Sequence, residues 1–245
     1  MKFSFVRTRT ALAGVLVLAL LGGCATGPNA DPRDPLEPFN RSIYSFNEGV
    51  DRAVLKPVAQ VYNDALPSPV RTGVRNFFNN LADAWTAVNA VLQLRGQAAV
   101  ESFFRVQVNT VFGLGGLIDI ASDADIPRHR EDFGKTLGRW GVPTGPYLVL
   151  PLLGPSTIRD TAALPVDTWG NPVSHLDDHG ARYGLYGLRI IDARAQLLRA
   201  SNVLEEAALD KYSFTRDIYL QLRGAKDYNG QAEDPDAQPA PARAQ

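Results

Sequence analysis

The residues best suited to metal chemistry in this 245-residue chain are two histidines four positions apart. His175 and His179 enclose Asp177 and Asp178. On a helix such a pair shares one face, where two imidazoles and a carboxylate can bind zinc. A proline shortly before the pair and a glycine directly after it, in a polar segment, instead favour a solvated loop or helix end. We therefore predict no metal and no cofactor.

Two charged residues interrupt an otherwise apolar segment. Glu101 and Arg105 lie within Ala98–Phe112, whose apolar residues occupy nearly every side of a predicted helix. Such a helix is buried on most sides, in protein or in lipid. The two charges are four residues apart, so they either pair with each other or line a wet cavity.

Arg159 and Asp160 form a third candidate, directly after an apolar stretch. Ser156 or Thr157 can cap a helix there, and Thr157 and Asp160 have the spacing of a capping box. Capping with surface pairing is one interpretation. The other is an ion pair that braces the apolar stretch, or an arginine that contacts a lipid phosphate.

Motifs of common catalytic sites are missing from the sequence. It contains no G-x-S-x-G, no H-E-x-x-H and no phosphate-binding P-loop. Gly113, Gly115 and Gly116 lie in FGLGGL, which lacks the dinucleotide-binding spacing, so a hinge or a close helix contact is favoured. We predict that the protein is not an enzyme.

Cys24 is the one cysteine, and it follows a bacterial export signal. Residues 1–23 combine three basic residues with an apolar run and end in Leu-Gly-Gly, which resembles the lipobox of bacterial lipoproteins. The thiol is then the acceptor of diacylglycerol, whereas an ordinary secretory signal with a chance cysteine is the alternative. Ala25 is not the aspartate that retains lipoproteins at the inner membrane, which favours the outer membrane.

Composition divides the rest of the chain into three parts. Residues 24–35 read as a lipidated tether, 36–228 as a helical domain and 229–245, rich in Pro, Ala and acids, as a disordered tail. Loss of residues 1–23 changes the formal net charge from −1 to −4, which is unlike a nucleic-acid-binding protein. We predict an all-α fold with a single mainly helical domain.

Helix periodicity supports that fold class. Apolar residues recur at three- and four-residue steps over 36–54 and 70–92, with starts predicted at Asp34 or Pro35 and at Ser68-Pro69. A further stripe covers 188–198. Asn202, with a glutamate three residues later, predicts a second helix start after that stripe. Residues 212–222 predict a last helical element.

The best strand candidate is Tyr147–Leu153, and it is unusually rich in turn-forming neighbours. Five glycines and four prolines lie between Gly134 and Pro155. Prolines within and beside the candidate reduce it to an edge hairpin or an irregular loop. Gly141 and Gly145 would serve as hinges, while Pro146 and Pro151 stiffen the piece between them.

Taken in order, several short motifs identify the chain as similar to the MlaA (VacJ) family of outer-membrane lipoproteins. They are Asp34-Pro35-Leu36-Glu37, Phe39-Asn40-Arg41, Asn109-Thr110, Gly113-Leu114-Gly115-Gly116, Ile118-Asp119, Phe133-Gly134, Thr136-Leu137-Gly138, Gly141, Gly145-Pro146-Tyr147, Leu150-Pro151, Gly154, Arg159-Asp160 and Ala193-Arg194-Ala195-Gln196. The resemblance covers about residues 24–222 and is weakest over 161–187.

The resemblance implies a helical ring embedded in the inner leaflet of the outer membrane, with a central amphipathic channel. Phospholipids that have strayed into the outer leaflet would pass through it to the soluble periplasmic carrier MlaC, which maintains lipid asymmetry. Trimeric porins of the OmpC/OmpF type would hold the protein in place. A structural adaptor that docks porins without moving lipid is the alternative, and a lipid hydrolase is a third class that lacks a credible nucleophile–base pair.

On this basis Tyr147–Leu153 is predicted to be a hairpin-like gate beside the channel. Tyr147, Leu148, Leu150 and Leu152 would offer its lipid-facing surface, and Gly154 would close the segment. A rigid buried loop is the alternative.

Overall fold

The computed structural model describes residues 31–207 and 209–224, and most of them are helical. Cys24, the export signal and the predicted C-terminal tail lie outside these residues. In chain order the elements are α1 (Glu37–Val50), a π-helical turn (Asp51–Leu55), α2 (Lys56–Ala65), α3 (Ser68–Leu92), α4 (Gly96–Val111), α5 (Ile120–Asp123), α6 (Phe133–Arg139), β1 (Tyr147–Leu150), β2 (Gly154–Thr157), α7 (Ile158–Gly170), a 3-10 turn (Pro172–His175), α8 (His179–Ala207) and α9 (Lys211–Leu222).

The predicted helical fold is confirmed, with a two-stranded sheet as the described β-structure. Helix α3 begins at Ser68, close to the predicted start, with Pro67 and not Ser68 at the cap position. Pro69 fits the first helical turn, because the N–H that it lacks would be unbonded there. The first helix begins at Glu37, slightly later than predicted, since Asp34 and Pro35 belong to the turn before it.

The predicted break at Asn202 is wrong. Helix α8 runs without interruption from His179 to Ala207. A capping-box spacing stabilises a helix start only where the chain before it is not helical. Here the preceding residues are already in the helix, so Asn202 lies in its interior. The last predicted element is confirmed as α9.

The chain folds into two compact units. The described part of unit 1 comprises residues 31–47, 145–158 and 212–224, while unit 2 comprises 48–144 and 159–211 without residue 208. Unit 1 contains both strands and has an aromatic core of Tyr147, Val149, Tyr212 and Leu220, against which Tyr44 and Tyr219 pack.

Unit 2 places its polar side chains inside and many of its large apolar ones outside. Helices α3 and α4 bury a polar row composed of Asn80, Asp83, Thr86, Asn89, Gln93, Ser102, Arg105 and Asn109. Their outer surface carries Val88, Val91, Val100, Phe103, Phe104 and Val111, each between 46% and 66% exposed. Within α4 the protein buries Ala98 and Ala99, but Val100, Phe103, Phe104 and Val111 are exposed. Burial in protein, one of the two settings expected for this helix, therefore does not describe these large side chains.

Among the described residues, no helix combines the length and the apolar character needed to cross a bilayer.

Candidate functional site

The segment that begins at Tyr147, predicted to be an edge hairpin or an irregular loop, forms a β-hairpin. Strands β1 and β2 pair antiparallel, with Leu148 opposite Ser156 and Leu150 opposite Gly154. The three-residue loop Pro151–Leu153 joins them and is exposed. Leu152 has a φ of +63°, a conformation that costs a leucine about 1–2 kcal/mol, and its side chain is 66% exposed. We call residues 147–157 the hairpin.

Two asparagines of α1 bind backbone groups of the hairpin, one beside β1 and one at the loop. Asn40 Nδ2 donates to Tyr147 O (3.1 Å) and Asn40 Oδ1 accepts from Val149 N (2.9 Å). Asn47, two helical turns later, donates from Nδ2 to Leu150 O (2.9 Å) and accepts from Leu152 N (2.8 Å). The Asn40 amide thus takes the place of a neighbouring strand along β1, while the Asn47 amide satisfies backbone groups where the loop begins.

Asn47→Leu is expected to loosen the hairpin loop selectively. Leucine has nearly the same shape but neither donates nor accepts, so Leu152 N–H loses its partner. Amide hydrogen exchange at Leu152 should accelerate about tenfold, as expected for one lost hydrogen bond. Ser42→Ala, at an exposed position of the same helix, is the control. Equal exchange rates in Asn47→Leu and the parent would contradict the role assigned to Asn47.

Tyr147 does not lie on the surface predicted for it. Its side chain is fully buried, and its ring centroid lies 6.2 Å from those of Tyr212 and Tyr219. Burial, followed by the nearby Asp34 carboxylate, raises the pKa of Tyr147 well above its ordinary value. Alternation along β1 explains the correction, because Tyr147 and Val149 point into the core. The apolar surface of the hairpin is its loop, where Leu152 and Leu153 are 66% and 71% exposed.

The two glycines predicted as hinges of this segment, together with Gly154 of the predicted gate, adopt backbone angles that other residues avoid. Gly141 has a φ of +92°, Gly145 of +72° and Gly154 of +81°. A Cβ atom at Gly145 would lie 3.3 Å from Ile158 Cβ, whereas the space beside Gly141 and Gly154 is open. Pro146 follows Gly145 and accepts a hydrogen bond from Ile158 N through its carbonyl oxygen (3.1 Å). Of the three glycines, Gly145 at the base of the hairpin therefore leaves the least room for a side chain.

Arg159 and Asp160 are buried together in unit 2. Arg159 Nε donates to Asp160 Oδ1 at 3.2 Å, and the two residues are 7% and 5% exposed. They lie directly against two glycines of α6, where a Cβ at Gly138 would come within 2.6 Å of Arg159 Nη1 and one at Gly134 within 2.5 Å of Asp160 Oδ1. Arg159 N also donates to Thr144 O. The pair therefore braces α6 and the chain before Gly145, and surface pairing does not describe it.

The Gly113–Gly116 turn approaches α3 closely. Gly116 has a φ of +93°, and a Cβ there would lie 2.7 Å from the Asn80 side chain. A Cβ at Gly113 would lie 2.2 Å from Ile118 O. Gly115 has a φ of +72° in open space. Close packing thus accounts for two of these glycines, in agreement with one of the two interpretations of the motif.

Arg105 is the centre of a buried charge network in unit 2. Its guanidinium donates to Asp83 (3.2 Å), Asp119 (2.7 Å) and Ile126 O (2.5 Å), and its side chain is 1% exposed. Arg128 reaches the same two carboxylates at 3.3 Å. Burial raises the pKa of Asp83, while hydrogen bonds from Ser122 and Asn109, together with the two arginines, outweigh burial and hold the pKa of Asp119 below its usual range.

Glu101 does not pair with Arg105, so the interpretation in which these two charges pair with each other is wrong. Its carboxylate lies 2.5 Å from His129 Nε2. The hydrogen bond from His129 is the largest cause that holds the pKa of Glu101 below its usual range. Arg105 instead contacts Asp83 of α3 and Asp119 in the chain after α4.

The two histidines considered for zinc lie in different elements. His175 ends the 3-10 turn and contacts Trp169 O, while His179 begins α8 and contacts Arg182. Asp178 Oδ1 accepts from Ala181 N at 3.0 Å, as a helix cap does. Within residues 31–207 and 209–224, no group of three or more His, Cys, Asp or Glu side chains is placed to hold a metal ion.

Sequence reasoning missed the parts of the site that act through hydrogen bonds. Asn40 stands inside a motif quoted for the family resemblance, but Asn47 does not, and neither was linked to the hairpin. Their seven-residue spacing on one helix face is the only signal, and it is shared by many solvent-exposed polar pairs.

The sequence of this chain is similar to those of known proteins. Residues 32–226 match the family model described as MlaA lipoprotein. The intermembrane phospholipid transport system lipoprotein MlaA of Escherichia coli K12 is 38% identical over 208 residues, which are 82% of each chain. The protein of the same name from Haemophilus influenzae is 34% identical over 232 residues, 88% of this chain and 89% of that one.

A solved structure presented as the structural basis for maintenance of bacterial outer membrane lipid asymmetry is also similar. Its TM-score is 0.69 at 38% identity, covering 78% of this chain and 96% of that chain. Because the family model spans most of the chain and the relatives match over most of their own length, the chain belongs to the MlaA lipoprotein family.

Proposed function

We propose that this lipoprotein removes mislocalised phospholipids from the outer leaflet of the outer membrane and passes them towards the periplasm, which maintains lipid asymmetry. The observation that carries the proposal is the match to phospholipid transport lipoproteins over most of both chains. A conduit of this kind needs binding and release of lipid and no covalent chemistry, so the proposal includes no catalytic residue.

The distribution of polar and apolar side chains in unit 2 supports this proposal. A phospholipid needs an apolar environment for its tails and a polar one for its headgroup. Helices α3 and α4 bury a polar row that includes Arg105 and Asn109, and they expose apolar residues such as Phe103 and Phe104. Polar-inside and apolar-outside is the arrangement expected of helices in lipid.

The proposal places the protein at the outer membrane, entered from the periplasmic side. Acyl chains on Cys24 would anchor it, since several chains hold a protein durably whereas one is marginal. A soluble periplasmic carrier would receive the lipid, and a trimeric porin would keep the protein in place. The family name supports an acyl anchor and membrane association.

The hairpin is the proposed gate of this pathway. Its loop offers Leu152 and Leu153 to a lipid chain, and its base is set by Gly145. The asparagine contacts of α1 hold it in the position described here. Opening would require these contacts to break, which gives the gate a defined closed state.

Deletion of the gene is expected to raise phospholipid at the cell surface. An added phospholipase would measure it on intact cells with matched lipopolysaccharide levels and a check for membrane leakage. The wild-type gene should reverse the rise. No change, with no redundant clearance system active, would contradict the proposal, and co-purification of a porin under that outcome would favour the structural adaptor.

A further inference from the structure

The first described residues of the chain contact the base of the hairpin. Arg33 O accepts from Tyr147 N at 2.8 Å, and Asn40 contacts Tyr147 O and Val149 N. The beginning of β1 is therefore held by two points that lie on either side of Asp34 in the chain.

Asp34 determines which way the Asn40 amide faces. It is fully buried, and its Oδ1 accepts from Asn40 Nδ2 at 2.7 Å. An ionised carboxylate only accepts hydrogen bonds, so the amide nitrogen must face Asp34 and the amide oxygen is left to accept from Val149 N. With that orientation lost, the amide can rotate, and Val149 N–H loses its acceptor.

Residues of α9 hold the Asp34 carboxylate in turn. Tyr212 OH donates to Asp34 Oδ2 at 2.5 Å, and Arg216 Nη1 lies 3.5 Å from the same oxygen. Arg216 also lies 3.0 Å from Asp31, and its side chain is 8% exposed. A buried carboxylate is costly without a cation, and Arg216 supplies that charge. Burial and the bond to Asp34 together raise the pKa of Tyr212 well above its ordinary value.

We infer that Asp34 and Arg216 are positioning residues of the hairpin: through Asn40 they set how often β1 leaves its place. The inference rests on the proposed function where it treats the hairpin as the gate. The contacts themselves hold the hairpin in place whether or not it is a gate. It also links the gate to residues 31–34, which follow the tether of the acyl anchor.

Thiol labelling of a buried position of β1 tests this. Val149 is 1% exposed, so Val149→Cys in the full-length protein reacts only when β1 lifts. Cys24 is the one native cysteine, and the protein without the Val149 change gives its background. Asp34→Ala should raise the labelling rate at residue 149 about tenfold or more, as expected for loss of charged hydrogen bonds.

Arg216 variants separate positioning from general stabilisation. Arg216→Met should raise labelling, and Arg216→Lys, which keeps the charge but not the guanidinium fork, should raise it less. Asp51→Ala is the control, because it breaks an ion pair with Arg194 (2.6 Å) in unit 2. Tyr212→Phe removes one hydroxyl and keeps the ring, so about a two- to fivefold rise is expected even if Asp34→Ala fails to accumulate.

Equal labelling in the parent, in Asp34→Ala and in Tyr212→Phe would overturn the inference. An equal rise in Asp51→Ala, or in both Arg216→Lys and Arg216→Met, would also overturn it, because the effect would then be general. Surface phospholipid is measured on the same strains. A labelling change without a change in phospholipid leaves Asp34 as a positioning residue and rejects the hairpin as the gate.

Discussion

Arg105→Met is expected to lower the free energy of unfolding by about 3–5 kcal/mol. Methionine keeps much of the volume but leaves Asp83 and Asp119 without the guanidinium that lies between them. Arg128 still lies 3.3 Å from both carboxylates, but removing one partner of a buried ion pair costs far more than the pair contributes. Chemical denaturation of the detergent-solubilised protein, followed by circular dichroism, measures the loss.

The loss should shrink as the pH falls. Burial already raises the pKa of Asp83, so this carboxyl favours folding when protonated, and its contribution is lost as the pH rises through its folded-state pKa. Without Arg105 the pKa of Asp83 rises further, and the pKa of Asp119 loses one of its lowering causes. Acidification neutralises both carboxylates in the variant, so the difference in unfolding free energy between the variant and the parent becomes smaller.

Gln107→Met, at an exposed position of the same helix, is the matched control and should change stability by less than about 0.5 kcal/mol. Combining Arg105→Met with Asp83→Asn should recover part of the loss, since it removes a buried negative charge that has lost Arg105 as a partner. A single Arg105→Met variant as stable as the Gln107→Met control would show that the network contributes nothing to folding.

Gly145→Val is expected to raise surface phospholipid most of the way to the level of the deletion strain. The φ of +72° is strongly unfavourable for a β-branched residue, and the new Cβ would lie 3.3 Å from Ile158 Cβ. Relief of the backbone strain or of the close contact with Ile158 would move the base of the hairpin. Phospholipase accessibility on intact cells measures the outcome, with protein abundance followed by immunoblot.

Two further glycines make the comparison specific. Gly141→Val also places a β-branched residue at a positive φ, but its side chain meets no neighbour. A smaller rise in surface phospholipid is therefore expected. Gly184→Val lies in α8 with nothing within 4 Å and no positive φ, so it should leave phospholipid unchanged. If surface phospholipid in the Gly145→Val strain rises only in proportion to loss of the protein, the hairpin is a rigid packed loop and not a gate.

The helices could be predicted because their apolar residues repeat with the helical period, which is a local property. Ser68-Pro69 marked a start correctly for a similar reason. The hairpin was foreseen from its prolines and glycines, although the inward direction of Tyr147 was not. That direction depends on strand register, where a shift by one residue exchanges the two faces.

Burial in α4 was harder to predict, because a sequence does not state which solvent a helix meets. Phe103 and Phe104 read as core residues in water and as surface residues in lipid. The partners of Arg105 were hidden for another reason. Asp83 and Asp119 lie 22 and 14 positions away, so only the packing of α3 against α4 and the turn after it brings them together.

The apolar surface of α3 and α4 has a consequence for biogenesis. A chain that is exported through the inner membrane crosses an aqueous compartment before it meets its final bilayer. During that journey Phe103, Phe104 and Phe112, which are 53–71% exposed, would face water and favour self-association. On the proposed route to the outer membrane, we expect an escort to shield this surface until lipid replaces it.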